Sequence, residues 1–203
     1  MVKGKIGAEK NIRPVDIRNE NVISRSEFLM KTALVAAAIP AGALTWGILS
    51  GAHDFQVRRI TLNLKNLPKS YEGMVIAQIS DIHTGSLYNK TAIKGGIEML
   101  LSEKPDMILF TGDLVNDRAG EVKDFMNILD KLKAPLGVYS TLGNHDYGAY
   151  LKFPNHREKQ RNFQDIIQAH KLLGYDLLLN ENRSITIGGD KNCDLRGRKY
   201  IFQ

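Results

Sequence analysis

Three short polar motifs at near-equal spacing constrain this chain more than anything else in it. Asp81-Ile82-His83 follows the apolar run Met74-Val75-Ile76-Ala77-Gln78-Ile79. Gly112-Asp113 follows Met107-Ile108-Leu109-Phe110, and Gly143-Asn144-His145-Asp146 follows Leu136-Gly137-Val138-Tyr139-Ser140. Roughly thirty residues separate one motif from the next, the length of a strand-helix-strand unit. Right-handed crossovers make such strands parallel neighbours, so their carboxyl ends lie side by side. Asp, His, Asp, Asn and His are thereby expected on one edge of a sheet. Carboxylate, imidazole and amide oxygen together suit divalent metals such as Mn, Fe or Zn.

The intervening segments carry the expected helices. Ile93, Ile97, Leu100 and Leu101 recur at helical spacing between Asn89 and Glu103, and Pro105 follows. Val122, Phe125, Met126, Leu129 and Leu132 predict a second helix, and Glu158 to Leu173, closed by Gly174, a third. Val57 to Leu64 alternates and predicts an edge strand, while Tyr175–Leu179 and Arg183–Ile187 predict a hairpin around Asn180-Glu181-Asn182.

Gln78-Ile79-Ser80-Asp81-Ile82-His83-Thr84-Gly85, Phe110-Thr111-Gly112-Asp113-Leu114-Val115-Asn116 and Leu142-Gly143-Asn144-His145-Asp146-Tyr147-Gly148 resemble the first three signatures of the calcineurin-like metallophosphoesterases, in particular a bacterial membrane-associated branch. The resemblance covers about residues 57 to 188. It implies an α/β fold, a four-layer αββα sandwich of two mixed sheets flanked by helices, here incomplete. It also implies two divalent cations, with Asp81 and His83 on the first, Asp113 bridging and Asn144 on the second. His145 resembles the family's non-ligand histidine, which contacts the phosphate and protonates the leaving oxygen. The implied reaction is hydrolysis of a phosphodiester or pyrophosphate by metal-activated water, without a covalent intermediate. Asp81 and His83 at i and i+2 would share one face of extended chain. The glycines before Asp113 and Asn144 would let the backbone turn where a side chain would crowd the site.

Two departures from the family pattern stand out. Asn116 occupies a position where some branches place an Asp to orient the catalytic histidine, with Asp117 one residue on. Later histidines, including a Gly-His-x-His-like motif, normally complete the second metal's ligands, and none occurs before Gln203. His53, His156 and His170 read as solvated or helix-surface residues. The residues after about Gly189 lack period and apolar content. The expectation is a fragment whose second cation keeps only Asp113 and Asn144. Its rival function is an inert remnant that binds metal weakly without catalysis. A metalloprotease is disfavoured because His-Glu-x-x-His is absent.

Between Thr32 and Ala52 there is no charge. Some twenty residues of helix span about 30 Å, the hydrocarbon thickness of a bilayer. Trp46 suits an interfacial anchor, and the basic leader (Lys3, Lys5, Lys10, Arg13, Arg18, Arg25, Lys31) places the N-terminal flank in the cytoplasm. A cleaved or degenerate export signal around Ser24-Arg25-Ser26-Glu27-Phe28-Leu29 and a buried soluble helix compete with the anchor. The predicted organisation is a polar basic segment at 1–31, a transmembrane helix at 32–52, the catalytic domain at 55–189 and an irregular tail at 190–203. The domain would then lie outside an inner membrane, where a lipid-linked phosphoester substrate is accessible. The net charge of +6 comes from dispersed basic residues, which argues against a nucleic-acid partner. Cys193 is alone, so no disulfide framework exists.

Overall fold

The computed structural model describes residues 23–51, 54–187 and 193–197. The chain divides into two compact units, Met1–Ala52 and His53–Gln203. Most of the basic leader, His53 and the side chain of Cys193 lie outside the described residues.

Among the described residues the first unit contains one helix, α1 (Arg25–Gly51). It begins seven residues before the charge-free run. Ser24 explains the early start: its Oγ accepts the Glu27 amide at 3.1 Å, as an N-cap does. Glu27 and Lys31 then pair one turn apart at 2.7 Å. Pro40 sits inside the helix. Leu34, Ile39 and Leu44 are all exposed, and at 3.6 residues per turn Ile39 stands roughly 140° from each of the other two, which are roughly 80° apart. The apolar surface therefore runs all the way round, as in a helix that faces lipid.

The second unit is built on a four-stranded parallel sheet in the order β1 (Ile76–Ile79), β2 (Met107–Phe110), β3 (Val138–Ser140), β4 (Asp176–Leu177). The register pairs Ile79 with Phe110, Phe110 with Ser140, and Ser140 with Leu177. The first three strands thus end level, and each is followed directly by one of the polar motifs. Ile108, Phe110 and Val138 of the sheet are buried with Ile93 and Ile97 of α2 (Lys90–Ser102) and Ile166 and Leu173 of α4 (His156–Leu173). Both helices carry the expected punctuation. Asn89 and Asn155 accept amides of their first turns, and Gly174 closes α4 in the left-handed conformation.

Several local expectations are corrected. Ala119–Phe125 is a 3-10 helix that passes into a single α turn, α3 (Met126–Leu129). Its buried residues Ala119, Val122, Phe125 and Ile128 recur every three positions, the 3-10 period, which a reading by helical stripe takes for α. Residues 57–64 form no ladder, although Arg59 grips Glu103 with Nε and Nη2. The predicted hairpin does not form either. Asp176–Leu177 joins β3 in the parallel sheet, while β5 (Asn182–Ile185) pairs antiparallel with β6 (Cys193–Arg196). β6 lies within the tail read as irregular. Backbone pairing organises it without an apolar side-chain pattern. His170 is fully buried on α4 rather than on its surface, whereas His156 is exposed.

Candidate metal centre

The motifs leave their strands through unusual backbone. Asp81 (φ 54°), His83 (φ 47°) and Asp113 (φ 56°) are all left-handed. Each such residue other than glycine costs of order 1–3 kcal/mol and persists only where the surroundings impose it. Here the two loops are zipped together. The amides of Asp81, His83 and Thr84 donate to the carbonyls of Gly112, Asp113 and Leu114, each at 3.0 Å. The strand has ended at Ile79, so Asp81 and His83 converge through this kinked loop and not through the alternation of an extended chain.

The side chains meet above the sheet edge. His83 Nε2 lies 3.8 Å from Asp81 Oδ1 and 3.9 Å from Asp113 Oδ2. Donor atoms of His83, Asp113 and His145 all fall within 4.8 Å of one another. Two ligands of one cation, each bonded at about 2.0–2.3 Å, lie no more than about 4–4.6 Å apart. The His83–Asp81 and His83–Asp113 spacings, both under 4 Å, and the mixed imidazole–carboxylate chemistry therefore fit a divalent ion. His83 and His145 meet edge to face with centroids 4.7 Å apart. Asp81 is exposed, whereas Asp113 is buried.

Close backbone approach makes room for this cluster. Gly112 has φ 101°, and a Cβ there would come within 2.3 Å of the Gly143 nitrogen. A Cβ on Gly143 would lie 2.1 Å from Asp113 Oδ1. Both positions therefore require glycine.

Asp146 sits beneath the site at 0 % exposure. Its carboxylate accepts the amides of Asp113 (2.8 Å), Leu114 (2.9 Å), Val115 (3.3 Å) and Gly143 (3.0 Å), stapling the second motif to the third. Burial pushes this carboxyl up to about 6, against the amide bonds, which favour the charged form. Asp113 Oδ1 in turn accepts the His145 amide at 2.9 Å.

His145 is oriented by a main-chain group. Its Nδ1 lies 2.7 Å from the carbonyl oxygen of Asn116. The loop carrying that carbonyl is held by Glu121, whose carboxylate accepts the amides of Asn116 (2.6 Å), Asp117 (3.3 Å) and Arg118 (2.9 Å). Asn162 completes the clamp, accepting from the Ala119 amide and donating to the Asp117 carbonyl. Asn144 is half-buried, and its Nδ2 donates to the Tyr150 hydroxyl at 2.8 Å. Motif reading had no role for Asp146, Glu121, Asn162 or Tyr150. For Glu121 there was a local signal, a carboxylate three residues after Arg118 at the start of an apolar stretch.

Comparison with known proteins agrees with this geometry. The calcineurin-like phosphoesterase family profile matches residues 74–199. The metallophosphoesterase YkuE of Bacillus subtilis is 32% identical over 133 residues, covering 63% of this chain and 46% of its own length. The UDP-2,3-diacylglucosamine pyrophosphatase LpxG of Chlamydia muridarum is 33% identical over 128 residues, 61% of this chain and 39% of LpxG. A zebrafish transmembrane protein with a metallophosphoesterase domain is 26% identical over 128 residues, 63% of this chain and 29% of its own. The chain thus spans less than half the length of these relatives. Its sheet, its three strand-end motifs and the profile match over most of its length make it a member of the calcineurin-like phosphoesterase family.

Proposed function

We propose that this chain hydrolyses a phosphoester, either a phosphodiester or a pyrophosphate, at a two-metal site. Asp81, His83, Asp113 and Asn144 would hold the cations. The observation that carries the reading is the approach of His83 Nε2 to within 4 Å of both Asp81 and Asp113, on backbone held in left-handed conformations. Bound divalent ions would polarise the phosphoryl group and acidify the attacking water.

The protein's own groups do the rest. Asp146 fixes the spacing of the Asp113 and Gly143 loops through four amide bonds. The Asn116 carbonyl accepts a hydrogen bond from the Nδ1–H of His145, so that the doubly protonated ring can give its Nε2 proton to the leaving oxygen. Preorganised groups of this kind need no rearrangement during reaction.

The membrane is the proposed location. Residues 25–47 are long and apolar enough to cross a bilayer by length and composition. We place the anchor at residues 32–52 and the catalytic domain at 55–189, on the extracytoplasmic side of an inner membrane. One relative is named for a lipid-linked pyrophosphate substrate and another as a transmembrane protein, which supports a lipid-linked phosphoester here.

The test is hydrolysis of bis-p-nitrophenyl phosphate with added Mn, comparing the chain with its Asp113→Ala variant. Turnover abolished by the substitution supports the reading. Equal turnover in the two proteins counts against it, and no turnover in either favours the inert remnant.

A further inference from the structure

We propose that Tyr150 is a positioning residue that sets the orientation of the Asn144 amide. This rests on the reading of Asn144 as a metal ligand. A carboxamide has two unlike ends, and only its oxygen can bind a cation. Flipping the group would present NH2 to the metal, so something must hold the amide one way round. Asn144 Nδ2 donates to the Tyr150 hydroxyl at 2.8 Å. That bond fixes the nitrogen end and leaves Oδ1, on the other side of the planar group, for the ion. Among the described residues no hydrogen bond occupies Oδ1.

Local backbone brings Tyr150 to this place. The 3-10 turn His145–Tyr147 ends at Gly148, left-handed at φ 58°, whose amide donates to the His145 carbonyl at 2.8 Å. The reversal folds Tyr150 back over the two residues that begin the turn. Its ring lies on that of His145, with centroids 4.6 Å apart and planes inclined by 35°. A Cβ at position 148 would press against the Phe153 ring at 2.8 Å, so the turn is built around glycine.

Tyr150 is nevertheless 63 % exposed. An exposed aromatic with little burial adds little to folding, so its hydroxyl can be removed at small cost in stability. Outer partners of metal ligands typically tune affinity by about 10–100-fold. An asparagine needs orienting, whereas an aspartate presents an oxygen whichever way its carboxylate turns. The role of Tyr150 should therefore exist only while position 144 is an amide.

The experiment is Mn titration of the full chain by calorimetry, without substrate. The proteins are the unsubstituted chain, Tyr150→Phe, Asn144→Ala, Asn144→Asp and the Tyr150→Phe/Asn144→Asp pair, with thermal midpoints alongside. The expected result is that Tyr150→Phe weakens a Mn-binding step about tenfold or more. Asn144→Ala should weaken the same step, the midpoint of Tyr150→Phe should be unchanged, and Tyr150→Phe should have no effect in the Asn144→Asp background. Two results would overturn the assignment while Asn144 stands as a ligand: unchanged Mn affinity in Tyr150→Phe, or equal weakening in both backgrounds. Unchanged affinity in Asn144→Ala, or no Mn binding by the unsubstituted chain, would instead remove the metal reading on which it rests.

Discussion

His145 Nδ1 and the carbonyl oxygen of Asn116 stand 2.7 Å apart, so the proposed acid is oriented by main chain and not by a carboxylate. Its orientation then depends on whatever holds residues 116–118, and that is chiefly Glu121. Glu121→Ala should remove three charge-assisted hydrogen bonds. We expect roughly 1–3 kcal/mol of lost stability, with a fall in kcat larger than any rise in KM. Urea unfolding and steady-state kinetics on a chromogenic diester measure both. An unchanged kcat would show that the loop holds His145 without Glu121.

Asp146→Asn is nearly isosteric but turns an NH2 group toward amides that need an acceptor. At least one of the four backbone donors would be left unpaired in a fully buried place. A cost of about 3 kcal/mol is expected, read as a lower urea midpoint, together with weaker Mn binding as the Asp113 and Gly143 loops part. Wild-type stability in this variant would mean that the staple is not needed.

Gly143→Ala tests the packing of the site with one methyl group. The added Cβ would meet Asp113 Oδ1 at 2.1 Å and the Asp113 backbone nitrogen at 2.6 Å. The folded variant should lose Mn affinity by tenfold or more, on the order of what a displaced ligand costs. Full retention of Mn binding would contradict the close approach.

Stability should carry a signature of His170. It is fully buried, its Nδ1 lies 3.0 Å from Ser140 Oγ, and its Nε2 has no hydrogen-bond partner among the described residues. Burial lowers its pKa from 6.5 to about 4. The unfolded chain therefore takes up this proton first as pH falls. The contribution is whole above about pH 6.5 and is lost toward pH 4, by about 3 kcal/mol. Asp146, raised from 3.8 to about 6, acts with the opposite sign in much of this window. The measurement is accordingly a difference: between pH 7 and 4.5 the unsubstituted chain should lose more stability than His170→Leu. Parallel pH profiles would show that His170 does not titrate on unfolding.

The apolar helix makes its own prediction. Leu34 and Leu44 are both exposed on α1. Replacing both with lysine should cost about 2.5–3.5 kcal/mol of insertion per residue at the helix centre. The full chain should resist alkaline carbonate extraction from membranes, and the double variant should be released. Release of both proteins alike would argue against a membrane-spanning anchor.

Much of this architecture was legible because strands β1, β2 and β3 each end at a motif whose residue types are chemically specific. The register that brings Ile79, Phe110 and Ser140 level follows from parallel pairing, which thirty-residue spacing already implies. What escaped reading was decided by backbone. The left-handed φ values of Asp81, His83 and Asp113 are imposed by the neighbouring loop, and no local propensity announces them. Glu121 and Asp146 act on amides rather than on side chains, so no motif of side-chain types marks their partners. β6 forms because β5 offers it a partner, although Cys193-Asp194-Leu195-Arg196 has little apolar pattern of its own. His170 shares a helix face with Ile166 and Leu173, and that face proved to be fully buried.

The central claim is that Asp81, His83, Asp113 and Asn144 gather around metal. Anomalous diffraction from crystals grown with Mn tests it most directly. The account predicts a peak within about 2.0–2.3 Å of His83 nitrogen and of carboxylate oxygens of Asp81 and Asp113, with a second peak between Asp113 and Asn144. Mn bound elsewhere, with these side chains making no contact to it, would contradict it.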